Sequence, residues 1–276
     1  MKIAVVQTSY DDDAPLPELL RAVSERSVSR LEGEDVDLIV LPELWAVGAF
    51  RAKVWAERAE SIDGPTVSAM AEVARRCGAV VHVGAIIERD EHGELHNTAV
   101  VLGPDGEVLT TYRKLHLMRA GGSEADLLTA GTRLGVLDLP LRDGTTLRTG
   151  LATCYDLRFP ELFRLLVDAG AEAVIVPASW PKARLAAWSA FLRARAAENQ
   201  LLVVGAGAAG TDGRTPMAAY SAVIDATGTE LAVAGESAEI LVAHADPAAA
   251  REFRESFPVL TDRFILVEAP PTAGQV

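Results

Sequence analysis

Basic charge is what this 276-residue chain most lacks: 26 Lys and Arg stand against 39 Asp and Glu, a net charge of −13 at neutral pH. A surface of that sign repels phosphate backbones and anionic headgroups, which argues against nucleic acid or a membrane as partner. Cysteine is scarce as well. Cys77 and Cys154 are too few for a disulfide framework and have no metal-ligand spacing, so a reducing, cytoplasmic setting is expected. No apolar run approaches the roughly 20 residues needed to cross a bilayer. The opening Met1-Lys2-Ile3-Ala4-Val5-Val6-Gln7 turns polar at Thr8 and meets Asp11-Asp12-Asp13, so no secretory leader is expected. Hydrophobic residues are not scarce. At 49% they suffice for a substantial core, in one large domain or two small ones.

Strand and helix signals alternate along the chain. Strands are expected at residues 2–8, 37–43, 79–87, 95–102, 107–112, 135–139, 145–153, 173–177 and 201–205. A further meander is expected at 220–225, 230–233 and 239–243. Helical spacing is found at 17–31, 51–60, 64–74, 160–169 and 184–199, and Asp246-Pro247 caps a last helix to about residue 255. Residues 119–133 read as a loop. Several strands are apolar on both faces, which implies sheets covered on both sides. With no composition break, the natural reading is one domain of stacked mixed sheets with outer helices, over residues 1–265. The stretch from Phe257 to Val276 reads as extended, and a mobile tail is expected at 266–276, where Pro270-Pro271-Thr272-Ala273-Gly274 lies.

Chemistry gathers at strand ends. An apolar run at 147–153 leads into Cys154, a polar corner follows, and Pro160 opens a helix stopped by Gly170. A strand-to-helix corner exposes a side chain beside free backbone N–H groups, the geometry that a thiol nucleophile needs. A buried structural cysteine fits the same stretch, and the corner alone leaves both readings open. Glu43 and Lys114 also follow apolar strands. Charged groups at such positions are costly unless they are paired or used. If the three ends converge, they supply a nucleophile, a base and a cation. A thiol with a pKa of about 8.5 needs such help at neutral pH.

Three blocks now carry a resemblance. Leu41-Pro42-Glu43-Leu44, Tyr112-Arg113-Lys114-Leu115-His116-Leu117 and Cys154-Tyr155-Asp156-Leu157-Arg158-Phe159-Pro160-Glu161 resemble the signature blocks of the nitrilase superfamily of carbon–nitrogen hydrolases. They stand in that family's order, 71 and 40 residues apart. His96-Asn97-Thr98-Ala99 and Arg193-Ala194-Arg195-Ala196-Ala197-Glu198-Asn199-Gln200 extend the likeness across almost the whole chain. The resemblance implies an α/β fold, a four-layer α-β-β-α sandwich with two mixed sheets between outer helices. It implies that Glu43 is the general base, Cys154 attacks the amide carbonyl, and Lys114 stabilises the oxyanion with the backbone N–H of Tyr155. Glu124, seven residues before Gly131, matches the second glutamate of that family, although the loop from Lys114 to Glu124 is short for its branch. No cofactor or metal is implied, so chelators should leave activity intact.

Cys-Tyr-Asp resembles the amidase branches rather than the nitrilases. The run Ala178-Ser179-Trp180-Pro181, with Arg184 and Trp188, looks most like the omega-amidase group, which hydrolyses dicarboxylate monoamides such as 2-oxoglutaramate. That implies a small amide bearing a distal carboxylate, with Tyr155, Arg158, Trp180 and Arg184 as substrate-binding residues and a homodimer or larger homo-oligomer. Neighbouring branches (N-carbamoyl amino-acid hydrolase, deaminated-glutathione amidase) and a non-catalytic scaffold are the alternatives. Arg158 either pairs with Asp156 or reads the substrate. His116 either orients the lysine loop or packs, Cys77 reads as a buried helix residue, and Glu161 as a helix-start carboxylate. Gly205-Ala206-Gly207-Ala208-Ala209-Gly210 matches a dinucleotide-binding pattern but lacks a following helix, so nucleotide binding is rejected. Its small residues suit loop backbone lining a substrate pocket.

Overall fold

The first strand, β1 (Lys2–Gln7), is apolar on both faces, and the layering follows from it. Ile3 and Val5 enter one apolar cluster, Ala4 and Val6 another. A strand of period two without a polar face must be covered on both sides. The structure, a computed structural model, describes residues 1–10, 14–119 and 124–266.

After β1 come α1 (Leu16–Leu31), β2 (Leu38–Val40), a short α2 (Trp55–Arg58) and α3 (Pro65–Cys77). Strands β3 (Val80–Arg89), β4 (Leu95–Leu102) and β5 (Val108–Arg113) follow, then α4 (Glu124–Leu127), β6 (Gly135–Pro140) and β7 (Thr146–Leu151). The second half runs α5 (Pro160–Asp168), β8 (Ala173–Ala178), α6 (Leu185–Asn199) and β9 (Leu202–Gly207). It closes with β10 (Thr211–Asp212), β11 (Thr215–Pro216), β12 (Ala222–Ile224), β13 (Glu230–Val233), β14 (Glu239–His244) and α7 (Ala249–Ser256). Proline opens α3 and α5, where its missing N–H has no partner to lose, and Gly78 closes α3 in the left-handed region.

Two six-stranded mixed sheets result, ordered β14-β1-β2-β3-β4-β5 and β13-β12-β9-β8-β7-β6. Ile3, Val40 and Val101 of the first sheet meet Leu139, Ile175 and Val204 of the second in the central core. Helices α1 and α3 cover the outer face of the first sheet through Leu31, Met70 and Val73. Helices α5 and α6 cover the second through Phe163, Leu166, Trp188 and Leu192. This is the α-β-β-α sandwich expected.

Four local expectations are corrected. Strands β12 and β13 pair, but β14 does not extend their meander. It crosses to the first sheet, antiparallel to β1, where Lys2 faces His244. The helix expected at 51–60 is one turn of 3₁₀ helix (Ala52–Val54) and the four residues of α2, since Trp55 Nε1 donates to the carbonyl of Gly48 and pulls the segment inward. The loop at 119–133 holds α4. The end is not extended from Phe257 on, because Val259–Asp262 forms a 3₁₀ turn with Thr261 N–H donating to Pro258. The tail expected at 266–276 lies outside the described residues beyond Leu266. Asp246 does receive the N–H of Ala248 at the start of α7.

Candidate active site

Each reactive side chain is set by a constraint on the backbone just behind it. Glu43 leaves β2 through Pro42 and forms a parallel bridge with Ala85, and Leu44 N–H donates to Ala85 O at 3.0 Å. Leu44 takes a φ of 46°, unusual for a branched side chain, so Glu43 sits on a forced corner. That corner needs Gly84. With a φ of +83°, a Cβ there would lie 1.9 Å from the carbonyl oxygen of Pro42. The β3–β4 ladder shifts register between His82 and Ala85, the bulge that admits this approach.

Lys114 follows β5, with its N–H on Asn97 O and its carbonyl receiving Gly131 N–H, both at 2.9 Å. A Cβ on Gly131 would stand 2.1 Å from the carbonyl of Arg113. Cys154 follows β7 with a φ of 46° and opens a 3₁₀ turn, Cys154–Arg158. Asp156, fully buried, holds that turn. It accepts the N–H of Thr153 (2.9 Å), the hydroxyl of Tyr112 (2.8 Å) and the N–H of His116 (3.0 Å), and lies 2.7 Å from His116 Nδ1. His116 stacks on Phe159 with ring centroids 3.8 Å apart. The cysteine corner and the lysine segment are thus fastened to one carboxylate, and His116 orients the lysine segment.

The three strand ends converge. Lys114 Nζ lies 2.8 Å from Glu43 Oε1, and 2.8 and 2.9 Å from the two carboxylate oxygens of Glu124. Asn97 Nδ2 donates to both glutamates at 2.9 Å, and Met118 N–H to Glu124 at 2.9 Å. Lys114 and Glu43 are each 2% exposed and Glu124 5%. Burial opposes charge on Lys114, but the carboxylates of Glu124 and Glu43 outweigh it and hold the ammonium well above its usual pKa. Burial and then the Glu43 carboxylate push the Cys154 thiol well up, with Lys114 opposing. At rest the sulfur is therefore a thiol. To serve as a nucleophile it would have to give up its proton to a neighbouring base.

A cavity of about 290 Å³ opens over these groups. All eight residues singled out in the sequence line it: Glu43, Lys114, Glu124 and Cys154 as reactive groups, with Tyr155, Arg158, Trp180 and Arg184. Arg158 does not pair with Asp156, whose oxygens are taken by Tyr112, His116 and Thr153. Its guanidinium lies 4.7 Å over the Trp180 ring and 5.5 Å from that of Phe191. Among the described residues, neither Arg158 nor Arg184 has a carboxylate in ion-pair range.

The glycine-rich run behaves otherwise than expected. Gly205 and Gly207 do not line the cavity. A Cβ on Gly205 would lie 2.6 Å from Leu192, and one on Gly207 would lie 2.3 Å from the carbonyl of Ala219, so these glycines admit α6 and a neighbouring loop. No helix follows the motif, which fits the rejection of nucleotide binding. Asp90, Glu94 and His96 place donor atoms within 4.8 Å of one another, but Arg113 stands 3.6 Å from Asp90 and none of the three lines the cavity. Sequence reasoning missed Asn97, which bonds both glutamates, and Ser179, Met118 and Phe50, which line the cavity. Asn97 and Ser179 carried a signal, as polar residues within or just after apolar strands.

The layers and the thiol beside a buried ion pair define a hydrolase built on two facing sheets. A sequence profile described as Carbon-nitrogen hydrolase matches residues 2–255. The chain is 36% identical over 267 residues to the 2-oxoglutaramate amidase of Paenarthrobacter nicotinovorans, covering 95% of this chain and 89% of that one. It is 31% identical to the omega-amidase NIT2 of Homo sapiens, with 82% of each chain covered. Among solved structures, XC1258 from Xanthomonas campestris, described as a CN-hydrolase superfamily protein with an arsenic adduct in the active site, superposes with a TM-score of 0.85. It is 31% identical, over 97% of this chain and 98% of its own. The chain belongs to the carbon-nitrogen hydrolase family of the nitrilase superfamily, and it is an enzyme that hydrolyses carbon–nitrogen bonds other than peptide bonds.

Proposed function

We propose that this enzyme is an omega-amidase that hydrolyses the terminal amide of a short dicarboxylate monoamide such as 2-oxoglutaramate. Cys154 is the nucleophile, Glu43 the general base, Lys114 the oxyanion-stabilising cation and Glu124 its support. The observation that carries the reading is the cavity itself. Thiol, carboxylate and ammonium meet at its base, and on its wall stand two arginines that have no carboxylate partner among the described residues. The 36% identity to a 2-oxoglutaramate amidase supports the same substrate.

The chemistry follows from the groups. As Cys154 Sγ attacks the amide carbon, its proton passes to Glu43, and the carbonyl π electrons move onto oxygen. Lys114 Nζ and the backbone N–H of Tyr155 receive that oxyanion. Collapse breaks the C–N bond, Glu43 returns the proton to nitrogen, and ammonia leaves a thioester on Cys154. Water, losing a proton to Glu43, attacks the thioester, and the carboxylate departs as the thiol re-forms. Amide plus water become carboxylate plus ammonium, the acid's proton passing to the ammonia, with no electron gained or lost and no cofactor required. Arg158, packed against Trp180 and Tyr155, is the more enclosed partner for the distal carboxylate, with Arg184 nearer solvent.

Two coarser readings accompany this one. Exposed Phe257, Phe264 and Ile265 near the C-terminal end support pairing with a second copy, whereas Leu162, Phe163 and Leu166 of α5 are spent on the chain's own core. Among the described residues no helix is long and apolar enough to cross a membrane, which is compatible with a cytoplasmic enzyme. Ammonia release from 2-oxoglutaramate, glutaramate, N-carbamoyl amino acids and nitriles tests the substrate, with Cys154→Ala as control. Preference for a carbamoyl compound over both monoamides would overturn it.

A further inference from the structure

Ser179 directly follows β8 and touches both partners of the proton transfer. Its N–H donates to Glu43 Oε2 at 3.0 Å, and its hydroxyl donates to the backbone carbonyl of Glu43 at 2.6 Å. Its own carbonyl faces Cys154 Sγ at 3.9 Å. Behind it Tyr10, from the segment after β1, sets its hydroxyl against Ser179 Oγ and 3.1 Å from the same Glu43 carbonyl. Both hydroxyls thus close on one carbonyl: Ser179 donates to it, and Tyr10 donates to it directly while touching Ser179 Oγ. Burial, with Asp212 next, pushes the Tyr10 phenol well up, so it stays a neutral donor.

The two oxygens of Glu43 are held from different sheets. Lys114 and Asn97, on the first sheet, bind Oε1, while Ser179, on the second, binds Oε2. The nucleophile also rides on the second sheet. We propose that Ser179 and Tyr10 are positioning residues that aim the Glu43 carboxylate at the Cys154 thiol, an inference that rests on Glu43 being the base. A peptide N–H can hold Oε2 only if its backbone is fixed, and the hydroxyl clamp on the Glu43 carbonyl fixes it. Neither hydroxyl is needed to bind substrate. Both act through the base, so their loss slows proton removal without weakening substrate binding.

The test uses Ser179→Ala and Tyr10→Phe in the full chain, with two readouts. One is steady-state ammonia release, and the other is the rate of Cys154 alkylation by iodoacetamide at pH 7, which needs no amide substrate. The expected result is a kcat lowered about tenfold with KM within about twofold. Alkylation should slow several-fold in both variants, and the double variant should be slower than either alone, because each hydroxyl donates to the Glu43 carbonyl. A wild-type kcat and alkylation rate in either variant overturns the proposal, as does a raised KM at unchanged kcat. If Ser179→Ala fails to fold, Tyr10→Phe decides alone. If neither folds, the pair is structural and the proposal is wrong. Wild-type alkylation in Glu43→Gln would instead remove the base assignment itself, so the two failures are distinct.

Discussion

Lys114 Nζ and Glu43 Oε1 stand 2.8 Å apart with both side chains 2% exposed, and the remaining donors of the ammonium face Glu124. Every N–H of the lysine is taken at rest, so in the proposed mechanism the oxyanion must draw on a donor already bound to a carboxylate. In that proposal the ion pair is scaffold and catalyst alike.

Replacing Lys114 by Gln strands two buried carboxylates. Breaking a buried ion pair in this way costs about 3–5 kcal/mol. Removing an oxyanion donor lowers kcat by about 10²–10³. Urea unfolding and ammonia release together check this. A variant with wild-type stability would show that the carboxylates find other partners.

Arg158→Met should raise KM for a carboxylate-bearing amide about tenfold or more, the worth of a charge-assisted hydrogen bond. A neutral amide of the same length should be affected little. Arg184→Met, at an exposed position, should do less. Equal losses on charged and neutral amides in Arg158→Met would assign the arginine to packing against Trp180 alone.

Gly84→Ala should disable the enzyme without touching a reactive group. The added methyl would meet the Pro42 carbonyl 1.9 Å away, at a φ of +83°. Either the strand end carrying Glu43 shifts or β3 does. A stability loss of about 2 kcal/mol or more and a large fall in kcat are expected. Thermal unfolding and kinetics of the variant would show it.

His82 makes the fold acid-sensitive. It is fully buried, its Nδ1 accepts Gly84 N–H at 3.1 Å, and burial lowers its pKa from 6.5 to about 3. The folded-state value lies below the unfolded one, so the unfolded chain binds the proton first as pH falls. The contribution is whole above about pH 6.5 and is lost progressively from there towards pH 3. Between pH 7 and 5 this amounts to about 2 kcal/mol. His82→Asn, whose amide oxygen can still accept from Gly84, should flatten the pH dependence of urea unfolding by that amount. Parallel curves for the two proteins would refute the assignment.

The strands and long helices were legible because their patterns are local. The double-faced apolar runs implied two covered sheets, and proline and glycine marked α3 and α5. Glu43, Lys114 and Cys154 were legible as charged or reactive residues without evident use at the ends of apolar strands. What escaped was non-local. Nothing in the neighbours of Glu239 says that β14 pairs with β1, more than 200 residues away in sequence. Arg158 lies two residues from Asp156, yet the carboxylate is consumed by Tyr112 and His116 from another strand end. Tyr10 follows a strand in a polar stretch, and only the packed sheets bring its hydroxyl to Ser179.

The division of labour between the sheets has a practical consequence. Glu43, Asn97 and Lys114 belong to one slab, Cys154 and Ser179 to the other, and their separation is set by the central core together with the few hydrogen bonds of Asp156 and Ser179 that cross between the slabs. Turnover therefore gauges how well the two slabs are seated. A substitution deep in that core, at Ile175 or Val101 far along the strands, should cost rate before it costs secondary structure. Mild heat or denaturant should likewise silence the enzyme while its circular dichroism is still intact.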